Sequence, residues 1–224
     1  ITEAYHSMNV GLADLNHDHF PDIYFSNINS MMKNAKYTFP NVGTPLDTTP
    51  GNIAKMLYNE TNTLYLSRVK NGKLVQYVLC DDFKKGGDDL GWSWDADFFD
   101  FDNDGDEDLY LLNGYNDYVQ RKNLKLTHNS FVMSAWTKVD PMLEQNRDYN
   151  IFFANQDGQL VNFSDRSGVK LKGYSSSASY LDFDRDGDQD IILNNTNAPA
   201  VFYQNETGDK TGNHWLAVKL IGDS

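Results

Sequence analysis

Cysteine is all but missing. Cys80 alone among 224 residues excludes an intramolecular disulfide framework and reads as a small buried hydrophobe. Long apolar runs are missing too: nothing approaches the ~18 residues of a membrane span, so no membrane insertion is expected. Basic residues are scarce, 19 Lys and Arg against 32 Asp and Glu for a net charge of −13. That balance excludes nucleic acid, which calls for a basic stripe, and an anionic membrane surface with it. The five histidines, His6, His17, His19, His128 and His214, contain no H-x-x-x-H or H-E-x-x-H spacing. Ser175–Ser179 lacks the G-x-S-x-G elbow of a hydrolase. The chain starts at Ile1 without a signal peptide and reads as a processed or excised piece.

What is present is an acidic loop written three times. It runs Asp14-Leu-Asn16-His-Asp18-His-Phe20-Pro-Asp22, then Asp100-Phe-Asp102-Asn-Asp104-Gly-Asp106-Glu-Asp108, then Asp182-Phe-Asp184-Arg-Asp186-Gly-Asp188-Gln-Asp190. Side-chain oxygens fall at positions 1, 3, 5 and 9, and glycine stands at position 6 in two of the three. Hard oxygen ligands at alternating positions around a tight turn suit Ca²⁺, with the position-7 carbonyls of Phe20, Asp106 and Asp188 completing the shell. Two carboxylates 4 Å apart repel by about 4 kcal/mol at an effective dielectric near 20, so a cluster of four calls for a cation. Up to three calcium ions would offset nearly half of the net charge.

An EF-hand opens the same way but needs a bidentate Glu at position 12 between helices. Position 12 here is Phe25, Leu111 or Leu193, each inside a strand-like run, and that reading fails. The 14–22 loop is expected to bind most weakly, because Asn16 replaces a carboxylate and His19 stands where the turn prefers glycine.

Around each loop the same signals recur at spacings of 86 and 82 residues, an internal repeat. A strand precedes it (Ser7–Ala13, 91–99, Ser175–Leu181). A short apolar strand follows (Asp22–Asn27, Asp108–Asn113, Asp190–Asn195). Third strands are expected at 63–67, 150–154 and 200–204, and fourth strands at Lys73–Leu79 and 159–163 after the hairpin turns Asn71-Gly72 and Asp157-Gly158. The fold class expected is all-β, with about three four-stranded antiparallel blades of a larger β-propeller. The units are 1–90 with an insertion at 28–62, 91–174 with an insertion at 115–149, and 175–212, before a final segment at 213–224. The second insertion has room for a short helix near Leu143.

The order strand, D-x-D-x-D-G-x-x-D, D-[LI]-[YI]-[LF], turn and hairpin resembles the FG-GAP/VCBS repeats of integrin-α-type propellers. Asn197-Ala-Pro-Ala-Val-Phe-Tyr-Gln-Asn205, followed by Gly212-Asn-His-Trp-Leu-Ala-Val-Lys-Leu-Ile-Gly222, is similar to the join between a last blade and the ASPIC/UnbV segment of the cartilage acidic protein family. The resemblance implies the C-terminal part of a longer propeller, with 213–224 beginning the ASPIC/UnbV-like segment. It also implies that the two insertions, each between a second and a third strand, emerge on the face opposite the loops.

The function expected is a calcium-binding module of a secreted, periplasmic or cell-surface protein, recognising a protein or glycan without catalysis of its own. Calcium loops of this kind suit compartments where free calcium is high. The alternative is a polysaccharide-active hydrolase or lyase on the same scaffold, since paired carboxylates at an unknown separation are also catalytic equipment. Missing blades would come from a parent chain or from self-association, with apolar patches around Trp92 and Trp94 driving it. The segment Trp215–Ile221 is expected to pair as a strand with a neighbouring blade. Asp81-Asp82 and Asp88-Asp89 read as a solvated loop. Asn59, Asn162, Asn194 and Asn205 begin N-x-[ST] sequons.

Overall fold

Each acidic loop reverses the chain between two strands, and that reversal builds the same antiparallel hairpin three times. The computed structural model describes residues 7–27, 62–80, 90–91, 93–114, 149–196 and 198–222. Most of both insertions, the helix expected near Leu143, and the Asp81-Asp82 and Asp88-Asp89 pairs lie outside the described residues. Within them the protein is all-β, with eleven strands in three antiparallel sheets.

The first sheet has the order β1 (Ser7–Ala13), β2 (Asp22–Asn27), β3 (Thr63–Lys70), β4 (Lys73–Leu79). The second runs β5 (Ser93–Phe99), β6 (Asp108–Asn113), β7 (Ile151–Gln156), β8 (Gln159–Asn162). The third runs β9 (Ser175–Leu181), β10 (Asp190–Asn195), β11 (Val201–Tyr203). Two short helices, α1 (Ser164–Ser167) and α2 (Gly208–Thr211), were not foreseen. The hairpin turns match expectation: Asn71, Gly72, Asp157 and Gly158 all take positive φ, as a two-residue turn with the right twist requires.

The third sheet corrects the expected count, having three strands where four were anticipated. After β11 the chain leaves the sheet edge. The Asn205 N–H is held by Asp190 Oδ1 at 2.8 Å, and its side-chain amide donates to the Phe101 carbonyl at 2.6 Å. Asn155 makes the matching bonds in the second sheet, yet there the chain turns at Asp157-Gly158 into β8, whereas the third sheet is followed by α2. The expected Trp215–Ile221 strand is likewise not formed: residues 212–222 have no strand pairing among the described residues. Leu216 and Leu220 are 86% and 91% exposed.

Apolar packing occurs between sheets. Ala13, Leu15, Tyr24 and Leu64 of the first unit meet Ala96, Leu109, Leu111 and Phe153 of the second. One step on, Phe99, Tyr110, Leu112 and Phe152 meet Ile191 and Leu193 of the third. Both faces of β6 are covered, so all six of its residues are buried, which is why Asp108–Asn113 reads as a continuous apolar run rather than an alternating one. Trp94 is half-buried, tilted against Tyr174 at 5.5 Å between ring centroids, with its Nε1–H donated to the Gly114 carbonyl. The exposed apolar side chains lie elsewhere, notably Val10 and Leu12 on β1 and Phe202 on β11.

A polar clamp joins the sheets beside this packing. Within each sheet the serine opening the first strand donates to the asparagine closing the second. The pairs are Ser7 to Asn27, Ser93 to Asn113 and Ser175 to Asn195, at 2.7–2.8 Å. Asn62 then donates from the first sheet to Ser93 Oγ at 2.7 Å, and Asn150 from the second to Ser175 Oγ at 2.8 Å. Each of these asparagines also accepts a backbone N–H, from Asn27 and Asn113 respectively. Every serine–asparagine pair borders a bulge in the first hairpin of its sheet.

Candidate metal centre

The loops are built from their own backbone amides. The position-1 carboxylate caps the turn: Asp14 accepts the N–H groups of Asp18 and His19 at 3.0 and 2.8 Å, and Asp100 those of Asp104 and Gly105 at 3.1 and 3.0 Å. Asp182 accepts the Gly187 N–H at 3.2 Å. Position 5 accepts the N–H of position 7 in all three loops, from Phe20, Asp106 and Asp188 at 2.9–3.0 Å. Position 6 is left-handed throughout, at φ 69° for His19 and 94° for Gly105 and Gly187. So is position 4, at 56° for His17 and Asn103 and 67° for Arg185. The position-4 conformation was not anticipated; His and Asn tolerate it, whereas Arg185 is not of that type.

The position-9 aspartate does a different job. Asp22, Asp108 and Asp190 are all buried. One oxygen of each takes the N–H of position 2, from Leu15, Phe101 and Phe183 at 2.9–3.0 Å. The other takes an N–H beside or within the third strand, from Ser67, Asn155 and Asn205 at 2.6–2.8 Å. Each therefore ties its loop to a strand more than a dozen residues away.

Ligand atoms converge in two places among the described residues. Asp100, Asp102 and Asp108 bring carboxylate oxygens within 4.8 Å of one another, and so do Asp182, Asp184 and Asp186. Asp104 and Asp190 stand in the same loops but outside these triads. The first loop forms no such group. Asp18 turns one oxygen to the Ser67 hydroxyl at 2.7 Å, while the matching positions in the other sheets hold Asn155 and Asn205. Asp106 and Asp188 direct their side chains away from their own loops: Asp106 Oδ1 meets His17 Nε2 at 2.5 Å, and Asp188 Oδ1 accepts the Asn103 amide at 2.6 Å. The loops are thus linked in series, position 4 of one to position 7 of the next. Histidine spacing in the sequence gives no sign of the His17–Asp106 link.

The 100–108 loop is electrostatically strained. Burial, reinforced by Asp104 and Asp100, pushes the Asp102 carboxyl up to about 6. Burial pushes Asp108 up to about 7 against the N–H groups of Phe101 and Asn155, and raises Asp100 as well. Asp102 Oδ1 is fully buried and has no hydrogen-bond partner. A buried carboxylate oxygen without a donor is costly, and a hard cation shared with Asp100 and Asp108 is the group that fits it.

The C-terminal stretch crosses this same region. The Gly208 N–H donates to Asp188 Oδ2 at 2.6 Å, and the Asn213 amide to the Asp102 carbonyl at 2.9 Å. The Trp215 ring lies directly over Gly187, where any Cβ would collide with it. No protein-family model matches the chain, and no curated protein does.

Proposed function

We propose that the protein is a calcium-binding recognition module whose three sheets are blades of a β-propeller, related to the FG-GAP/VCBS repeats and the ASPIC/UnbV family. The observation that carries the calcium reading is the donorless Asp102 Oδ1, placed with Asp100 and Asp108 in a loop that recurs in register three times. Loops 100–108 and 182–190 are the principal sites, and 14–22 the weakest. The bound ion neutralises carboxylates that otherwise repel, so calcium is structural here and acts by holding the loop face rigid.

Recognition of a protein or glycan follows from the same frame: a rigid scaffold presenting long insertions is where binding residues collect. The sequence of the insertions contains no recognisable nucleophile–base or metal-ligand pattern, which favours binding over catalysis. Calcium loops of this kind favour a secreted, periplasmic or cell-surface setting, where free calcium is high.

Calorimetric titration of the chelator-treated protein with Ca²⁺, repeated for Asp102→Ala and Asp184→Ala, tests the metal reading. Each substitution should remove one tight site. Absence of binding heat, together with a melting curve unchanged by EGTA, would overturn it. A glycan array and a hydrolase panel then separate recognition from catalysis, with turnover of any polysaccharide counting against the first.

A further inference from the structure

Among the described residues one sheet face is used twice and left open once. Val10, Leu12, Ile23 and Phe25 hold in the first sheet the register positions of Ala96, Phe98, Leu109 and Leu111 in the second. In the second and third sheets that face is packed against the preceding sheet. In the first, Val10 and Leu12 remain exposed among the described residues.

The polar clamp is open at the same place. Ser93 and Ser175 each receive an asparagine amide from the sheet before, whereas Ser7 has only its own bond to Asn27 among the described residues. At the other end the clamp has lost its plug. Val201 pairs with Leu193 as Ile151 pairs with Leu111 and Thr63 with Phe25. Ala200 therefore stands where Asn62 and Asn150 stand. The local backbone is kept: Asn195 donates to the Pro199 carbonyl at 3.0 Å, as Asn113 donates to that of Tyr149 at 2.8 Å. What is gone is the side-chain amide.

We propose that the open face of the first sheet is a docking surface for one further antiparallel sheet of this repeat, carrying asparagine just before its third strand, and not for the third sheet of a second copy. The inference rests on the blade reading above and gives it a direction. Its warrant is continuity with an interface the protein already builds twice, apolar positions and clamp together. A third sheet ending in Ala200 can cover the apolar positions but would leave the Ser7 hydroxyl without its donor, a mismatch that a buried interface penalises.

The test converts the third sheet into the missing partner. Sedimentation equilibrium is run on the full chain as wild type, as Ala200→Asn, and as Ala200→Asn with Ser7→Ala or with Leu12→Asp. Ala200→Asn should strengthen head-to-tail association about tenfold, one buried hydrogen bond's worth, and both second substitutions should cancel the gain. The proposal fails if Ala200→Asn associates no more tightly than the wild type, or if the gain survives Leu12→Asp. Should Ala200→Asn not fold, Leu12→Asp alone decides. The proposal expects it to leave wild-type sedimentation unchanged, and a shift from oligomer to monomer would mean that a second copy is the natural occupant. The calcium titration reads the loops and not this face, so failure of one leaves the other standing.

Discussion

Asp108 and Asn155 lie 47 residues apart in the chain, yet the Asn155 N–H reaches Asp108 Oδ1 at 2.8 Å inside the protein. Asp22 with Ser67 and Asp190 with Asn205 repeat the arrangement. The last residue of the acidic loop is therefore a structural staple and, at Asp108, also a member of a candidate metal triad.

Replacing that staple should be expensive with or without calcium. Asp108→Ala leaves the buried N–H groups of Phe101 and Asn155 without an acceptor, at roughly 1–3 kcal/mol each. Urea unfolding in EGTA should show a loss of about 3 kcal/mol. A loss under 1 kcal/mol would mean that water replaces the carboxylate and that the staple matters little.

Asp102 should behave in the opposite way. Asp102→Asn removes a charge crowded by Asp104 and Asp100 and keeps the shape of the side chain. Without calcium it should stabilise the fold by on the order of 1 kcal/mol after solvent screening, a rise of roughly 2–4 °C in Tm. With calcium at 100 times its Kd, each site in the wild type contributes about 2.7 kcal/mol, and the variant should forfeit one such contribution. Melting curves taken with EGTA and with calcium should therefore cross over in rank; two curves shifted in the same direction would contradict the metal assignment.

Asp97 supplies a pH dependence away from the loops. It lies between sheets with Asp95 beside it and accepts the Tyr180 hydroxyl at 3.2 Å. Burial and the Asp95 charge push its carboxyl up to about 6, above the ~3.9 of an unfolded aspartate. Between those values the folded chain binds the extra proton, so this group's contribution to stability falls as pH rises from about 4 to 6 and stays low above that. Asp97→Asn should be more stable than the wild type at pH 7 and converge with it near pH 4. The difference between their Tm-against-pH curves isolates Asp97 from the loop carboxylates; a constant difference would refute the assignment.

Asn150 should couple two sheets energetically. Asn150→Ala orphans the buried N–H of Asn113 and removes the donor to Ser175, which should cost about 2–3 kcal/mol. A double-mutant cycle with Ser175→Ala should return a coupling of at least 0.5 kcal/mol. Strict additivity would show that the clamp geometry carries no energy.

Much of this protein was written locally. The three loops, the strands on either side of them and the two hairpin turns follow from alternating oxygens, short apolar runs and Asn-Gly or Asp-Gly pairs, all signals spanning fewer than ten residues. Strand ends before and after each loop fell where the sequence placed them, because the position-1 and position-9 aspartates punctuate both edges. Tertiary structure decided what one residue does to another far along the chain. Nothing around Asp22 announces Ser67, nothing around His17 announces Asp106, and Asn62 has no local reason to reach Ser93. The third sheet stops at three strands because the chain passes into α2 at Gly208, where the second sheet turns at Asp157-Gly158 into β8. Trp215 is apolar enough to be read as a strand residue, yet it lies over Gly187, since only the assembled loops offer bare backbone for the ring. Local patterning sets which segments extend and which turn; the pairing of distant hydrogen-bond groups is settled only when packed sheets exclude water and leave each buried donor one acceptor within reach.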